Sequence, residues 1–184
     1  MPDFPIHTME SAPPASQPTL LTLQKEIGFV PNLAATMADS PALIEGFTSV
    51  RSILARSSLT PLEREVISLC VSFANHCSYC MAAHSTFAKM HGASDAVVEA
   101  LRVGETPDAP RLGALATYTR HLMENGGHAS EDAKRALLHA GFTRAQLLET
   151  IAVIAFTTIA NYAHNVTQCA IDPQFQPQAW DRTP

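Results

Sequence analysis

The feature that most constrains the fold is a repeated pattern of helix-starting and helix-ending residues that runs from Leu33 onward. Ser, Thr or Pro precedes stretches in which apolar side chains recur every three or four positions, and glycines follow several of these stretches. This period indicates amphipathic helices, and the flanking residues are those that start and stop them. Alternation of the kind expected for strands is almost absent. The sequence therefore predicts an all-α fold of six to eight helices.

Two of the start signals are capping boxes, in which two side chains three positions apart bond each other's backbone N–H groups. Residues 60–63 (TPLE) open one helix, and residues 143–146 (TRAQ) open a long one that is expected to run through Ile171. The other expected helices cover residues 40–57, 77–90, 94–104, 109–124 and 130–141.

The length of 184 residues predicts one domain, since a domain takes roughly 150 residues. Residues 1–18 hold five of the thirteen prolines and are expected to form an irregular arm. Residues 19–184 contain no linker and no internal repeat, so they are expected to form a single all-helical domain, a compact multi-helix bundle.

Charged residues make up 16% of the chain, the net charge is −5, and no cluster of Lys and Arg occurs. The sequence thus gives no electrostatic basis for binding nucleic acid. The 22 residues 150–171 carry no charge and are long enough to cross a bilayer, but they include Asn161, His164 and Gln168. We therefore expect no membrane insertion. We expect instead a buried helix that packs partly against another subunit, which predicts a homo-oligomer.

The N-terminus lacks the basic and apolar regions of a secretory signal, which predicts a cytoplasmic protein. The four cysteines, Cys70, Cys77, Cys80 and Cys169, are too few for a disulfide-stapled secreted scaffold. In a reducing compartment, the C-x-x-C spacing of Cys77 and Cys80 favours redox or metal chemistry. Cys70 and Cys169 are expected to be small core side chains at apolar helical positions.

The residues that carry chemistry concentrate in the segment that ends at His84. Cys77, Cys80 and His84 have the spacing i, i+3 and i+7, so on a helix they share one face. Cys77 falls at the expected helix start, where free N–H groups and the helix dipole favour a thiolate. His84 is placed to accept the proton of Cys80 or to stabilise its thiolate. A sulfenic acid on one cysteine would condense with the other thiol.

Two glutamates near the start of the preceding helix are expected to differ. Glu63 is the third residue of the capping box, so a structural role is expected for it. Glu65 flanks the apolar stripe beside Leu62 and Leu69, where a carboxylate has no structural duty, and it is a candidate for proton relay. The alternative for Glu65 is an ordinary solvated side chain.

Other interpretations of these residues remain open at this stage. Glu65, Cys77, Cys80 and His84 make up a possible four-ligand zinc set, although structural zinc usually stabilises small, loop-rich modules. The two thiols can also be buried core residues. His164 is expected to be a hydrogen-bonded histidine in the interior or at an interface. No residue pattern predicts a bound cofactor.

The spacing of Glu65, Cys77, Cys80 and His84 resembles the E-x11-C-x-x-C-x3-H motif of the alkyl hydroperoxidase D-like branch of the carboxymuconolactone decarboxylase superfamily. The surrounding segments NHCSYCMAAHS, GFVPNLAATMADSPALIEGF and ANYAHNV are similar as well, so the resemblance covers about residues 24–172. It implies an all-helical, oligomeric, cytoplasmic thiol peroxidase of antioxidant defence.

The resemblance also implies roles for individual residues. Cys80 would attack the hydroperoxide substrate, Cys77 would resolve the product, and Glu65 and His84 would relay protons. An external dithiol, in the family's named enzyme a lipoylated protein, would reduce the resulting disulfide. Tyr79 stands where that enzyme has a relay histidine, and a tyrosine does not titrate near neutral pH.

Two other functions fit the same sequence. One is a lyase similar to γ-carboxymuconolactone decarboxylase, against which the paired cysteines argue because that branch does not need them. The other is a non-enzymatic, redox-sensing helical oligomer whose disulfide switches an interface.

Overall fold

Nine α-helices and one short 3₁₀ helix occupy residues 4–181, which are the residues that the computed structural model describes. Residues 1–3 and 182–184, the ends of the expected arm and of the expected domain, lie outside the described residues. The helices are α1 (Gln17–Ile27), α2 (Asn32–Met37), α3 (Pro41–Leu54), α4 (Pro61–Ala74), α5 (Ser78–Met90), α6 (Asp95–Arg102), α7 (Pro110–Glu124), α8 (Glu131–His139), α9 (Arg144–Thr167) and the 3₁₀ helix Gln176–Gln178.

Side-chain caps start the helices where the sequence predicts them. Both capping boxes form, at Thr60 before α4 and at Thr143 before α9. Ser40, Ser94 and Ser130 each accept a hydrogen bond from the backbone N–H three residues later, which satisfies one of the free donors of α3, α6 and α8. The all-α prediction is confirmed.

Two expectations about the helices are wrong. The described residues form nine α-helices rather than six to eight, because α1 and α2 precede the first expected helix. The last helix ends at Thr167 rather than at Ile171, because Gln168 takes the left-handed conformation with φ of 52° and its backbone N–H bonds the carbonyl of His164 at 2.7 Å. Cys169 therefore lies beyond α9 and not at a helical position.

Helix α9 packs against α3, α4 and α5, which confirms that the uncharged stretch is in contact with other helices. By length and composition α9 is the one helix of the described residues that is long and apolar enough to cross a membrane, and 39% of its most apolar window is buried. Its exposed face carries the apolar side chains Leu148, Ile151, Tyr162 and Val166. Packing of this face against another subunit stays a prediction.

The core consists of two clusters of buried apolar side chains. The first, here called the main cluster, is built chiefly from α4, α6, α7, α8 and α9. The second, here called the thiol cluster, joins α1, α2 and the start of α5 to the end of α9 and the segment after it. Main-cluster residues include Val66, Ile67, Leu69, Cys70, Met81, Leu101, Leu115, Tyr118, Leu137, Phe142 and Val153. Thiol-cluster residues include Leu20, Leu23, Leu33, Met37, Ile44, Cys77, Tyr79, Cys80, Ala160, Cys169 and Phe175.

Candidate active site

Two buried thiols meet at the first turn of α5. Cys77 is the N-cap residue of that helix, with extended backbone angles, and its sulfur accepts a hydrogen bond from the backbone N–H of Cys80 at 3.4 Å. Cys77 thus does with its sulfur what Ser or Asp usually does at an N-cap. Both cysteines are free thiols and are almost fully buried.

The surroundings of the two thiols drive their pKa values apart. The thiol of Cys80 and its backbone N–H both hydrogen-bond the sulfur of Cys77, and these contacts lower the pKa of Cys77 despite its burial. Burial, and then the neighbouring Cys77 sulfur, raise the pKa of Cys80 well above that of an ordinary thiol. The first proton to leave the pair therefore leaves Cys77 as the thiolate.

A carboxylate and an imidazole form a hydrogen bond one helical turn from Cys80. Glu65 on α4 and His84 on α5 approach to 2.7 Å between Oε2 and Nδ1, and their side chains are only 14% and 13% exposed. The pairing fixes the orientation of the His84 ring and leaves Nε2 for another partner. Glu65, expected as either a relay group or a solvated residue, is thus held in a contact with the predicted histidine.

His84 lies one helical turn after Cys80, as the spacing predicts. Within residues 4–181, however, no hydrogen bond joins His84 to either thiol, so a proton that passes between them needs a bridging water or a side-chain movement. The structure thus brings Glu65 to His84 and Cys77 to Cys80, and the two pairs are linked through α5, where Cys80 and His84 lie one turn apart.

Sequence reasoning did not identify the amide of Asn161, which α9 contributes to this site. Asn161 is fully buried; its Nδ2 donates to Ser72 and its Oδ1 accepts from Asn75. The same amide favours the thiolate form of both cysteines: it adds to the lowering of the pKa of Cys77 and opposes part of the rise that burial causes in the pKa of Cys80. The available signal was a pair of polar residues three positions apart, at 161 and 164, inside an otherwise apolar helix.

Tyr79 directly precedes Cys80 in the sequence. Its side chain points away from both cysteines of the site. Its hydroxyl donates a short hydrogen bond to the buried carboxylate of Asp172 and accepts one from the backbone N–H of Leu33 at 3.4 Å. Asp172 also accepts from the backbone N–H of Asn32. Burial, followed by Asp172, raises the pKa of Tyr79 far above neutrality, so Tyr79 anchors the first turn of α5 and carries no mobile proton.

His164 connects the start of α5 with a third thiol. Its Nε2 lies 3.3 Å from the hydroxyl of Ser78, and its Nδ1 lies 3.6 Å from the sulfur of Cys169. The prediction of a hydrogen-bonded interior histidine fits this position. Burial lowers the pKa of His164, which favours the neutral imidazole.

The zinc interpretation was tested against the positions of all His, Cys, Asp and Glu side chains within residues 4–181. No three of them are grouped so that they could hold a metal ion. In particular, the carboxylate of Glu65 is directed to the imidazole of His84 rather than toward the two thiols.

Known proteins share both the sequence pattern and the fold. Residues 41–121 match the model of the carboxymuconolactone decarboxylase family, and this range contains both thiols, Glu65 and His84. No curated protein matches the sequence.

Three solved structures are similar over nearly the whole chain. An uncharacterized peroxidase-related protein with an alkylhydroperoxidase AhpD core, from Ralstonia eutropha JMP134, is 26% identical with a TM-score of 0.83, over 94% of this chain and 93% of that one. A peroxidase-related protein from Silicibacter sp. TM1040 is 24% identical with a TM-score of 0.77, over 94% and 92%. The debrominase Bmp8, as a C82A variant in complex with 2,3,4-tribromopyrrole, is 18% identical with a TM-score of 0.78, over 97% and 95%.

The matched range contains Glu65, Cys77, Cys80 and His84, and the all-helical fold of this chain is similar to those structures over more than nine-tenths of its length. Residues 41–121 thus match the carboxymuconolactone decarboxylase family, and the whole fold is similar to that of alkylhydroperoxidase D-like, peroxidase-related proteins.

Proposed function

We propose that this chain is a thiol-dependent peroxidase that reduces hydrogen peroxide or organic hydroperoxides through Cys77 and Cys80. The observation that carries the proposal is the contact of two buried thiols at the start of α5, with opposite pKa shifts and with the Glu65–His84 pair one turn away. A pair of titrating groups whose surroundings push their pKa values apart is typical of an active site.

In the first step, Cys80 attacks the peroxide. Cys80 hydrogen-bonds the more acidic Cys77, so its proton can pass to the Cys77 thiolate or, through water, to His84. The Cys80 sulfur then attacks the terminal oxygen of the peroxide: the O–O bond breaks, an S–O bond forms, and the other oxygen leaves as alcohol or water with the proton that Cys80 released. The product is a sulfenic acid on Cys80.

In the second step, Cys77 resolves the sulfenic acid. The Cys77 thiol gives up its proton and its sulfur attacks the Cys80 sulfur; the S–O bond breaks, the hydroxide takes up that proton and leaves as water, and a Cys77–Cys80 disulfide remains. Two equivalents of thiol are thereby oxidised for each peroxide reduced. An external dithiol, such as a lipoylated protein, returns the pair to the reduced state by thiol–disulfide exchange.

The site also bears on the setting of the reaction. Buried free cysteines that must be reduced after each turnover suit a reducing compartment, so we place the protein in the cytoplasm. We further propose that the chain works as a homo-oligomer, with the exposed apolar face of α9 as part of the contact. Neither statement changes the chemistry of the thiol pair.

Peroxide consumption in the presence of dihydrolipoamide tests the proposal. Wild-type protein is expected to turn over hydrogen peroxide and cumene hydroperoxide, and Cys80→Ser is expected to abolish turnover. Cys77→Ser is expected to consume about one equivalent and then stop, leaving a sulfenic acid on Cys80 that dimedone traps. Cys70→Ala, which removes a thiol of the main cluster, is the matched control and is expected to keep its activity.

Three outcomes would overturn the assignment. If wild-type protein consumes no peroxide with any dithiol but forms the disulfide reversibly, the chain is a redox sensor. If brominated pyrroles are debrominated and peroxides are untouched, the chemistry resembles that of the debrominase neighbour. If the dimedone adduct appears on Cys77 in Cys80→Ser, the order of the two cysteines is reversed.

A further inference from the structure

The third thiol of the thiol cluster, Cys169, lies in an environment unlike that of an ordinary core cysteine. It is 7% exposed and shares one buried cluster with Cys77 and Cys80. An anionic sulfur at Cys77 raises the pKa of Cys169, and one at Cys169 raises the pKa of Cys80, so the three sulfurs are near enough to influence one another.

Polar atoms surround this thiol inside an otherwise apolar cluster. His164 presents Nδ1 at 3.6 Å from its sulfur, and the other ring nitrogen contacts Ser78, which adjoins Cys77. The buried hydroxyl of Thr36 has no hydrogen-bond partner among residues 4–181 by distance and angle, and it lies near Cys169, where it opposes a small part of the rise that burial causes in the pKa of this thiol. A base and a spare hydroxyl around a sulfur are what a thiol needs in order to react.

Cys169 lies in the segment that follows α9 and not in the helix itself. Gln168 adopts a left-handed conformation, so the chain leaves the helix before Cys169 and no helical hydrogen bond holds the residue. The imidazole of His164 spans the distance between Cys169 and the first residue of α5. A sulfur in a loop, next to a base that contacts the residue beside Cys77, is placed to approach Cys77.

We propose that Cys169 is a third redox thiol that exchanges with the Cys77–Cys80 disulfide to form a Cys77–Cys169 disulfide, with His164 as its base. The inference rests on the proposed function only for the origin of the first disulfide. It predicts that the disulfide, at first confined to the start of α5, comes to link the start of α5 with the segment that follows α9.

The step is a thiol–disulfide exchange and needs no further oxidant. The proton of Cys169 passes to Nδ1 of His164, and the resulting thiolate attacks the sulfur of Cys77. The Cys77–Cys80 bond breaks, the Cys77–Cys169 bond forms, and Cys80 leaves as a thiolate that takes up one proton. One disulfide is consumed and one is made, so the oxidation state of the protein does not change.

Burial raises the pKa of Cys169 to about 11, so in the resting protein it is a neutral thiol. The neutral imidazole of His164 can accept its proton because burial lowers the pKa of that histidine. The exchange therefore waits until a disulfide is present to attack, so Cys80 stays free to attack the peroxide and Cys77 stays free to resolve the sulfenic acid. Cys80, released as a thiol, would then be able to reduce a second peroxide before any reductant arrives.

Peptide mapping after oxidation by diamide tests the exchange without peroxide. Trypsin leaves Cys77 and Cys80 in one peptide, residues 65–89, and Cys169 in another, residues 145–182. The first disulfide is thus internal to one peptide, whereas the proposed one links two. After one equivalent of diamide, acid quenching and alkylation, we expect wild-type protein to yield the linked pair with Cys80 alkylated.

Three variants sharpen the result. Cys169→Ala is expected to reduce the linked pair to background, and His164→Gln is expected to slow its appearance roughly tenfold or more, since a positioned base commonly contributes at least that much. Cys70→Ala removes the other cysteine of residues 65–89 and is expected to leave the linked pair unchanged. Circular dichroism checks that each variant is folded.

One result would overturn the inference: in wild-type protein, only the internal disulfide forms and Cys169 stays fully alkylated from seconds to hours. This result is independent of the peroxidase assay. If the linked pair forms with diamide while no peroxide is consumed, the proposed function fails and the third redox thiol stands.

Discussion

The main cluster and the thiol cluster each contain buried cysteine, but the groups that surround the thiols differ. Cys70 in the main cluster has a single weak contact, 3.9 Å from its sulfur to the carbonyl of Ala116, and burial raises its pKa to about 12. Cys77 in the thiol cluster accepts hydrogen bonds, and its pKa falls although it is buried too. Burial alone therefore makes a thiol inert, and the polar atoms placed around it make it reactive.

The carboxylates of α4 show the same contrast. Glu63 is 2% exposed, caps its helix through the backbone N–H of Thr60 at 2.8 Å, and pairs with Arg111 at 2.7 Å. Glu65, two residues later, has His84 as its single side-chain partner among residues 4–181 and keeps part of its side chain in contact with solvent. Glu63 is held by structural partners on both oxygens, whereas Glu65 is joined only to a group that can exchange a proton.

The largest expected effect is the loss of peroxide turnover in Glu65→Gln, which tests the contrast between the two carboxylates. The amide keeps the size of the side chain but cannot stabilise a protonated His84 or accept its proton. We expect peroxide turnover to fall by a factor on the order of 100, within the range of general acid–base contributions. Steady-state peroxide consumption measures the loss, and thermal unfolding is expected to show little change.

Glu63→Gln is the matched control for this substitution. It weakens the cap and the charged hydrogen bond to Arg111, whose combined loss we expect to cost about 2 kcal/mol of unfolding free energy. Activity per folded molecule is expected to stay near that of the wild type. If Glu63→Gln lowered activity as much as Glu65→Gln did, the contrast between the two carboxylates would be lost.

The next largest effect is expected for Tyr79→Phe. The change removes the hydrogen bond to Asp172 and leaves that buried carboxylate with only the backbone donor of Asn32. We expect a loss of roughly 1–2 kcal/mol in the free energy of unfolding, measured with urea. Tyr118→Phe in the main cluster is the control, since the Tyr118 hydroxyl makes no hydrogen bond within the part of the chain described, and it is expected to cost less. Equal costs would show that the Asp172 contact adds nothing.

Much of this architecture was predictable from local sequence. The capping boxes at Thr60 and Thr143 form as expected because a cap depends on residues three positions apart, and the assignment of Glu63 to a cap follows from the same spacing. The pairing of Glu65 with His84 was expected only through the family motif. Apolar periodicity on α4 and α5 indicates which faces are buried but does not show which polar groups meet.

The contacts between distant segments were not predictable in this way. Asn161 reaches the thiols from α9, and Asp172 reaches Tyr79 across 93 positions. Neither contact leaves a periodic signal, because each depends on the packing of helices rather than on the order of residues. The end of α9 was not predicted for a related reason. Gln168 adopts a left-handed conformation that a glutamine seldom takes, whereas Asp172-Pro173 is a common sequence at the end of a helix.

The smallest expected effect is a pH dependence that comes from His164, whose ring contacts Cys169 of the thiol cluster. The pKa of His164 is lowered in the folded protein by burial, so the unfolded chain binds its proton first as the pH falls. The free energy of unfolding is therefore expected to decrease as pH drops below about 6.5, the unfolded value, with a slope of at most about 1.4 kcal/mol per pH unit, and to level off below the folded pKa. Urea unfolding between pH 7.5 and 5 measures this slope.

His164→Gln is expected to remove this part of the slope, whereas His128→Gln, at an exposed position, is expected to leave it intact. If both variants kept the wild-type slope, the imidazole of His164 would titrate alike in the two states, and it would not be the neutral base on which the reactivity of Cys169 depends.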